Sequence, residues 1–396
     1  MPRAFDYLIV GGGMTAAAAA DAIRKSDPSG TIGLISAERH PPYARPPLSK
    51  ALWKGEPESS IWKGTDKLGI DLRLGRRATA LDVRAKTVTD DKGEGISYRK
   101  VLLATGGTPR RLPIDTDKII YYRTFDDYRE LRALANDKKR FAVLGGGFIG
   151  SEVAALRLVG CEVVMLVPED GIGARVFPTE LSQFLVSYYR EQGVDVRTGQ
   201  ALASLSRAGK ELVLKTTRGD DVRVDAVVAG IGIQPNVELA VQAGLRVDNG
   251  IVVDEHLQTS ASDVFAAGDV ANFFNSALGA RLRVEHEDNA NTMGAAAGRA
   301  MAGDKTPYTH LPFFYSDLFA LGYEAVGELD PRLETMSDWK EPFREGVIYY
   351  LKAGRVRGVL LWNTWGQVDA ARALIAEQGT VRAQQLKGRL PAAAPA

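Results

Sequence analysis

A strand, a glycine-rich turn, a helix and a second strand occur twice in this chain, and this repeat constrains the fold more than any other feature. The first copy is residues 7–38, YLIVGGGMTAAAAADAIRKSDPSGTIGLISAE, and the second is residues 141–169, FAVLGGGFIGSEVAALRLVGCEVVMLVPE. Short apolar runs on either side of a helix are the pattern of a βαβ unit in a parallel sheet. We therefore predict an α/β protein with two Rossmann-like domains.

The small residues of the first copy have the spacing of a dinucleotide-binding turn. Gly11, Gly13 and Ala16 satisfy G-x-G-x-x-[G/A] where the helix must start. The first glycine permits the tight turn, the second lets the backbone approach a pyrophosphate, and the alanine keeps the helix close to the strand. Glu38 follows the second strand, where its carboxylate suits both hydroxyls of an adenosine ribose. The alternative is a glycine-rich turn in an ordinary α/β domain.

The second copy has glycine at all three positions, Gly145, Gly147 and Gly150. Two such copies in one chain predict two bound dinucleotides. Here the acidic residue is Glu169, directly after the second strand, and no arginine stands beside it in the sequence to hold a 2′-phosphate. This favours NADH over NADPH as the second nucleotide.

Two residues of the second turn have unusual side chains for their position. Phe148 lies inside the turn and Glu152 just after it, where small or aliphatic residues are the norm. On one interpretation both side chains face the chemistry. On the other, Phe148 packs in the core and Glu152 caps the helix.

A proline-rich stretch after Glu38 holds two cations on stiff backbone. Its sequence, HPPYARPPLSKALW, cannot form a continuous helix before Pro47. Rigid placement of Arg45 and Lys50 beside a nucleotide site indicates contacts to a diphosphate or a ring. A solvated loop is the alternative.

Further strands extend both copies. DLRLG, ATALDV, KTVTD and KVLLAT follow one another over residues 71–104 and predict an antiparallel layer on the first copy. The segment then closes at Ala104, Thr105 and Gly106, where small residues let backbone come near a bound group. ALASL, ELVLKTT and VRVDAVVAGIG complete the second copy and end at Gly232.

A late strand, Val264 to Ala267, runs directly into Gly268 and Asp269. A carboxylate after a close-approach glycine suits a hydroxyl of the first nucleotide's ribityl chain or a phosphate-bound water. The helix that follows, from about residue 289 to 301, is rich in alanine and glycine. We therefore expect it to pack tightly below that site.

The composition excludes several classes of function. With 50 Lys and Arg against 49 Asp and Glu, the net charge of +1 predicts no nucleic-acid binding. One cysteine, Cys161, cannot form the internal dithiol of a disulfide reductase, and its position before a strand favours a buried small hydrophobe. Four scattered histidines predict no metal site.

The two ends of the chain give further expectations. The start has no charged segment followed by an apolar core, and no apolar run approaches the roughly 20 residues of a spanning helix, so we expect a cytoplasmic protein without a membrane span. From about Pro307, aromatic-rich strands and a helix at 366–377 predict a small α+β domain. The last residues, RAQQLKGRLPAAAPA, are predicted to be disordered.

Motifs spread over nearly the whole chain resemble those of one flavoprotein superfamily. They are PYARPPLSK, ATGGTPR, GGGFIGSE, TSASDVFAAGD and VEHEDNA. On these motifs the chain resembles apoptosis-inducing factor and the oxygenase-coupled ferredoxin reductases, which are two-dinucleotide flavoproteins of glutathione reductase-like fold. YSDLFALGYEAVG and GVLLWN resemble the third domain of apoptosis-inducing factor more closely. The resemblance implies FAD in the first copy and NADH in the second.

The resemblance also implies which residues contact the two cofactors. The implied FAD contacts are Gly11, Gly13, Glu38, Arg45, Lys50, Val83, Arg110 and Asp269. The implied NADH contacts are Gly147, Phe148, Glu152, Glu169 and Gly232, with Arg175 and Glu324 as weaker candidates. Further candidate cofactor contacts are Ala16, Ala104, Thr105, Gly106, Gly145, Ile149, Gly150, Gly268, Glu285, His286 and Tyr315.

The resemblance implies four catalytic candidates, Lys50, Glu152, Phe148 and His286. By this resemblance, Lys50 and Glu152 pair near the flavin N5, and Glu285 and His286 lie near the stacked rings. One departure is Tyr315, which stands where the resemblance implies a tryptophan. The long insertions of the animal protein are also absent, so nuclear and apoptotic roles do not carry over.

These observations give a domain plan and a function. We predict an FAD domain at 1–118 and 246–306, an NADH domain at 119–245, a C-terminal α+β domain at 307–382 and a tail at 383–396. The predicted function is an FAD-containing NADH oxidoreductase that passes electrons to oxygen, a quinone or a small molecule. One alternative is a reductase that feeds a ferredoxin or rubredoxin. The other is an NADH-responsive sensor that becomes a homodimer on reduction.

Overall fold

The computed structural model describes residues 3–114, 116, 118–137, 139–377 and 379–391. The chain divides into two compact units, and each is described by itself. The first unit comprises residues 1–45, 57–108 and 234–312, and the second comprises residues 46–56, 109–233 and 313–396.

Strands and helices alternate around the two glycine turns, and elsewhere several strands follow one another without an α-helix between them. The strands up to residue 109 are β1 Arg3–Val10, β2 Ile32–Ser36, β3 Asp71–Leu74, β4 Ala78–Asp82, β5 Thr87–Asp90, β6 Gly95–Leu103 and β7 Gly107–Pro109. Those of residues 119–235 are β8 Ile119–Tyr121, β9 Arg140–Leu144, β10 Glu162–Val167, β11 Asp195–Thr198, β12 Leu202–Ala208, β13 Glu211–Thr216, β14 Asp221–Val224, β15 Ala226–Ala229 and β16 Ile233–Pro235. The remaining strands are β17 Ile251–Val252, β18 Val264–Ala266, β19 Ala271–Asn275, β20 Ala280–Leu282, β21 Phe313–Leu318, β22 Leu321–Gly327, β23 Glu334–Glu341, β24 Glu345–Lys352 and β25 Arg355–Trp362. The α-helices are α1 Met14–Ser26, α2 Phe125–Asn136, α3 Phe148–Val153, α4 Thr179–Glu191, α5 Glu238–Gln242, α6 Glu287–Met301 and α7 Val368–Ala376.

The first unit is built on one sheet with the order β3-β2-β1-β6-β5-β4, and β18 also pairs with β6. The pairs β1–β2, β1–β6 and β18–β6 are parallel, as the βαβ pattern predicts. The expected antiparallel layer is right for β4, β5 and β6, but wrong for β3, which pairs in parallel with β2. The reason is the long connection of residues 37–70, which returns the chain to the sheet edge in the same direction as β2.

Helices α1 and α6 of the first unit pack closely through small residues. A Cβ on Gly294 would lie 2.4 Å from the carbonyl oxygen of Thr15, and a Cβ on Gly298 would lie 2.4 Å from that of Ala19. Any side chain there would force the helices apart. The tight packing expected of the alanine- and glycine-rich helix is therefore confirmed.

The second unit contains a parallel sheet with the order β11-β10-β9-β15-β8 and a small antiparallel sheet, β12-β13-β14. The glycine turn after β9 leads into α3, which continues as a 3₁₀ helix at Ala154–Val159. A third, antiparallel sheet has the order β21-β22-β25-β24-β23 and is followed by α7. This is the predicted C-terminal α+β arrangement, and the predicted fold class is confirmed.

The predicted disordered tail is wrong for residues 383–391. Residues Ala383–Leu386 form a 3₁₀ helix, and Leu386 and Leu390 are buried. Two leucines in the segment provide the apolar anchors, which the alanine- and proline-rich composition concealed. Residues 392–396 lie outside the described part of the chain, and the three-domain division stays a prediction.

Candidate functional site

The first glycine turn has the features of a phosphate cradle. Gly11 adopts φ 127°, and a Cβ there would lie 2.1 Å from the carbonyl oxygen of Ala104, so only glycine fits. Gly13 is the N-cap of α1, and a Cβ on it would meet no atom within 4 Å. As a glycine, this N-cap has no side chain that could occupy the first amides, and the first turn of α1 has no acidic residue. The amides at this helix start are therefore available to an anion, and the turn fits a dinucleotide pyrophosphate.

The neighbouring candidates of the first unit are held by close backbone packing. Ala16 is fully buried. Gly268 has φ 78°, and a Cβ there would lie 2.2 Å from the hydroxyl oxygen of Thr15. Asp269 follows it and is half-buried. Thr105 donates through its hydroxyl to the carbonyl of Asn236, whose side-chain amide donates back to the Thr105 carbonyl, both at 2.8 Å.

The Glu38 carboxylate accepts hydrogen bonds from within the protein on both oxygens. Oε2 accepts from the Tyr43 hydroxyl, and Oε1 accepts from the Arg45 guanidinium, each at 2.5 Å. Burial alone would lower the pKa of Arg45, but the oxygens of Tyr43, Glu38 and Asp269 outweigh burial and raise it above its ordinary value. Each carboxylate oxygen keeps a second acceptor position for a ribose hydroxyl. Sequence reasoning missed Tyr43, although it lies in the quoted motif PYARPPLSK.

The other candidates of the first unit lie in three places. Val83 is half-buried and packs against the core. Gly106 has φ 61°, and its carbonyl accepts from the Asn236 amide. Glu285 accepts from Arg283 at 2.7 Å. His286 is the N-cap of α6.

The second glycine turn repeats the geometry of the first. Gly145 has φ 101°, and a Cβ there would lie 2.7 Å from the carbonyl oxygen of Gly230. A Cβ on Gly150 would lie 2.0 Å from the carbonyl oxygen of Gly145, whereas a Cβ on Gly147 would meet nothing within 4 Å. Because the middle glycine again has open space beside it, the turn fits a second pyrophosphate. Gly232 has φ 90°, and its carbonyl accepts from the backbone amide of Arg110 at 2.9 Å.

No arginine is next to Glu169 in the sequence, but the fold brings one to it, so this expectation is wrong. The Arg175 guanidinium donates to Oε1 of Glu169 through Nε at 2.8 Å and through a terminal nitrogen at 2.7 Å. The chain turns back at Gly173, where φ is 69°, and this returns a residue six positions later to the carboxylate. The Arg175 side chain is 84% exposed. It is therefore available to a 2′-phosphate, and the sequence basis for preferring NADH is weaker than expected.

The aromatic candidates of the second unit lie at the start of α3 and on β21. The Phe148 ring packs edge-on against Phe314, with centroids 5.3 Å apart. The half-buried Ile149 is next to it on α3. Tyr315 is paired across the sheet with Glu324, whose Oε2 accepts from the backbone amide of Gly366.

A buried carboxylate cluster forms around Glu152, which is 5% exposed. Oε1 accepts from the Lys50 ammonium at 2.5 Å and from the Ser316 hydroxyl at 2.6 Å. Oε2 accepts from the Ser49 hydroxyl at 2.5 Å. The structure therefore contains the expected Lys50–Glu152 pair, and Glu152 does not cap α3. The place of this pair near the flavin N5 stays a prediction. Sequence reasoning missed both serines, because a serine carries no signal of its own without the fold.

The Glu152 charge acts on two buried tyrosines. Burial is the main cause that raises the pKa of Tyr189 and of Tyr323 well above its ordinary value, and the negative charge of Glu152 is the next. Both phenols therefore stay neutral across the physiological range. Lys50 supplies positive charge to the cluster, and the hydroxyls supply neutral hydrogen bonds.

A small cavity of about 30 Å³ lies beside the Lys50–Glu152 pair. That volume is enough for a water molecule. An ion pair of Lys54 with Asp317, 2.8 Å between nitrogen and oxygen, lines the cavity and is partly exposed. The Lys50–Glu152 pair therefore adjoins a small cavity that a partly exposed ion pair also lines.

Other expectations concern metals, membranes and the cysteine. Cys161 is fully buried, and its Sγ lies 3.6 Å from the carbonyl oxygen of Ala135, so the small-hydrophobe interpretation is confirmed. The described residues contain no group of three His, Cys, Asp or Glu side chains arranged to hold a metal ion. In the same residues, no helix combines the length and apolar character that crossing a membrane requires.

Comparison with known proteins gives two family matches. Residues 5–294 match the family described as pyridine nucleotide-disulphide oxidoreductase. Residues 297–342 and 337–377 match the C-terminal domain of mitochondrion-associated apoptosis-inducing factor.

Individual relatives cover almost the whole chain. Mitochondrial apoptosis-inducing factor 1 of Dictyostelium discoideum is 35% identical over 95% of this chain and 79% of its own length. The ferredoxin–NAD⁺ reductase component of the anthranilate 1,2-dioxygenase system of Burkholderia cepacia is 37% identical over 96% of both chains. A chain in the crystal structure of the covalent putidaredoxin reductase–putidaredoxin complex is 30% identical, with a TM-score of 0.90 and coverage of 97% of this chain and 96% of that one.

Proposed function

The chain belongs to the pyridine nucleotide-disulphide oxidoreductase family, and we propose that it is the NADH-dependent reductase of a small iron–sulfur protein of the ferredoxin type. It is an FAD-dependent NADH oxidoreductase, as predicted, with FAD and NADH as its cofactors. The identity of the acceptor is the new part of this proposal. The sequence analysis predicted oxygen, a quinone or a small molecule as the acceptor. One of these would take the place of the iron–sulfur protein if the test below contradicts the proposal.

The residues present fit both cofactors. Gly11 and Gly13 give FAD a cradle of free amides at the start of α1, and Glu38 keeps acceptor positions for its ribose. In the second unit, Gly147 at the start of α3 gives the NADH pyrophosphate open space, and the Glu169 carboxylate can accept hydrogen bonds from the ribose. When both are bound, NADH supplies a hydride that FAD accepts. The chain's own task is to bind and orient the two rings and to set the charge around them.

One observation in the chain itself requires an external acceptor. Cys161 is the single cysteine of the chain and is fully buried. Electrons cannot leave through an internal dithiol, since a dithiol needs two thiols within disulfide distance. They must therefore pass directly from the flavin to another molecule.

Similarity to reductases of small redox proteins supports a protein acceptor. The chain is 37% identical to the Burkholderia reductase component over 96% of both chains, and its fold matches that of a chain in the crystal structure of the putidaredoxin reductase–putidaredoxin complex. This favours the reductase that was the first alternative of the sequence analysis. The compartment, expected to be the cytoplasm, stays a prediction that cell fractionation can test.

The test is steady-state NADH oxidation by the FAD-loaded protein with one acceptor at a time. We expect a [2Fe–2S] ferredoxin, monitored by coupled cytochrome c reduction, to support a higher rate than rubredoxin, a soluble quinone or air. Cytochrome c without ferredoxin is the control. Equal rates with the quinone, or a rate in air that ferredoxin does not increase, would contradict a ferredoxin-type partner.

The second candidate function is the NADH-responsive sensor, and the C-terminal domain favours it. Residues 297–377 match the C-terminal domain of apoptosis-inducing factor. In the second unit, Tyr315 of that region lies over Lys50, with 5.2 Å from the ammonium to the ring centroid. A change of charge near Lys50 would therefore alter its interaction with Tyr315 of the C-terminal sheet. Sedimentation before and after reduction by NADH tests whether the protein then dimerises.

A further inference from the structure

Three chain segments that are distant in sequence meet at the Glu152 carboxylate. Ser49 and Lys50 follow the 3₁₀ turn of Pro46–Leu48, Glu152 lies on α3, and Ser316 lies on β21 of the C-terminal sheet. All belong to the second compact unit. The C-terminal sheet therefore contributes a direct ligand to the carboxylate that pairs with Lys50.

The hydroxyl of Ser316 is fixed more firmly than a surface serine would be. Ser316 is fully buried, and its cross-strand neighbour on β22 is Tyr323. A strand in a ladder leaves its backbone no freedom to retract. The pairing of β21 with β22 therefore holds the Ser316 hydroxyl in place.

The residues on either side of Ser316 contact the same lysine segment. The ring of Tyr315 lies 5.2 Å from the Lys50 ammonium, and the carboxylate of Asp317 pairs with Lys54 at 2.8 Å. Three consecutive residues of β21 therefore contact Lys50, its carboxylate partner and the lysine one turn later. Such an arrangement restricts the direction of the Lys50 side chain.

We propose that Ser316 is a positioning residue, through which the C-terminal sheet holds Glu152 and thereby sets where the Lys50 ammonium lies. Oε1 of Glu152 has two donors, one charged and one neutral. The neutral donor stabilises the carboxylate without neutralising it. The Lys50 ammonium is then held less tightly by Glu152 and can also interact with its other neighbours. Without the neutral donor, Oε1 depends on Lys50 alone and draws the ammonium towards itself.

The consequence for the bound flavin rests on the proposed function and on the resemblance, which implies that Lys50 and Glu152 pair near the flavin N5. A cation held away from the ring stabilises the reduced, negatively charged flavin less. Ser316→Ala should therefore shift the two-electron equilibrium about three- to tenfold towards oxidised flavin, which is about 14 to 30 mV. The shift should have the same sign as that of Lys50→Ala and be smaller.

The experiment is a spectroelectrochemical titration of the FAD-loaded wild type, Ser316→Ala, Glu152→Gln and the double variant. If Ser316 acts through Glu152, its effect disappears in the Glu152→Gln background, because a neutral amide no longer draws the ammonium. The control is Thr364→Val, which deletes a buried hydroxyl of the same region that donates only to backbone carbonyls. We expect its potential to be that of the wild type.

Several results would overturn the proposal. They are an unchanged potential in Ser316→Ala, an equal shift in Thr364→Val, or the same shift with and without the Glu152 charge. Should Ser316→Ala fail to fold, Ser316→Cys keeps the volume with a much weaker donor and is judged by the same criteria. Failure of the proposed function is seen separately, as a protein that NADH does not reduce or that reduces no ferredoxin.

Discussion

The Arg175–Glu169 ion pair changes the nucleotide preference expected at the residue scale. A lone carboxylate repels a 2′-phosphate, but Glu169 is paired with the guanidinium of Arg175, whose side chain is 84% exposed. Exposed pairs of this kind are weak and exchange partners readily. We therefore expect the wild type to discriminate against NADPH by less than the tenfold, about 1.4 kcal/mol, that one charge contact can supply.

Removal of this guanidinium should restore the discrimination. Arg175→Ala leaves Glu169 unneutralised, so its kcat/KM with NADPH should fall about tenfold, while that with NADH changes by less than about threefold. Stopped-flow flavin reduction with each nucleotide measures both values. Arg223→Ala is the control, because Arg223 pairs with Glu211 on exposed strands of the same unit. An equal loss with both nucleotides would show that Arg175 does not read the 2′ position.

The Lys50–Glu152 pair makes opposite predictions for its two members. At about 4 Å and an effective dielectric near 20, an unpaired charge contributes roughly 4 kcal/mol, and pairing cuts this substantially. Lys50→Ala should lower the flavin potential by tens of millivolts, at about 30 mV per 1.4 kcal/mol, and Glu152→Gln should raise it. Potentiometry of the FAD-loaded variants is the measurement. If neither variant differs from the wild type, the pair lies away from the flavin.

At the scale of elements, two glycines of the first turn separate folding from cofactor binding. A Cβ on Gly13 meets nothing within 4 Å, so Gly13→Val should fold normally yet block the pyrophosphate and give a colourless protein. Gly11→Val is the contrast, because its Cβ would strike the Ala104 carbonyl and should prevent folding. Flavin absorbance and circular dichroism distinguish the two. A yellow Gly13→Val protein would remove this turn from the FAD site.

The contact of α1 with α6 gives a prediction about stability. Gly298 on α6 lies against the backbone of Ala19, so Gly298→Val should cost about 1 to 3 kcal/mol of unfolding free energy through overpacking. Urea unfolding measures it. Arg299→Ala, an exposed position of the same helix, should stay within about 0.5 kcal/mol of the wild type. Equal losses at both positions would mean that the close packing is unimportant.

Local patterns predicted the elements well, because their signals lie within about ten consecutive residues. The glycine turns, the strands beside them and the C-terminal sheet are all encoded by period and turn chemistry. The predicted direction of β3 was wrong, because this direction depends on a 34-residue connection with no regular period. Ser49, Ser316 and Tyr43 were missed, and Arg175 was misjudged, since each acts on a carboxylate that only the folded chain brings within reach.

At the scale of the whole molecule, the reductase and the sensor differ in how long the NADH-reduced protein lasts. Tyr315, over Lys50, stands where the resemblance implies a tryptophan, and a tyrosine offers less stacking area to a nicotinamide ring. Weaker stacking leaves the reduced flavin more open to oxygen and to a partner. We therefore expect turnover to be favoured over a persistent reduced state.

The last prediction follows from this difference. After one equivalent of NADH in air, the long-wavelength charge-transfer band of the wild type should decay within seconds, and the sedimentation coefficient should not change. Tyr315→Trp should prolong the band, because the larger ring covers the nicotinamide better. Phe313→Trp is the control, since Phe313 precedes it on β21 by two residues and packs beside it. A wild-type band that lasts many minutes together with a shift from monomer to dimer would contradict the reductase and identify a redox switch.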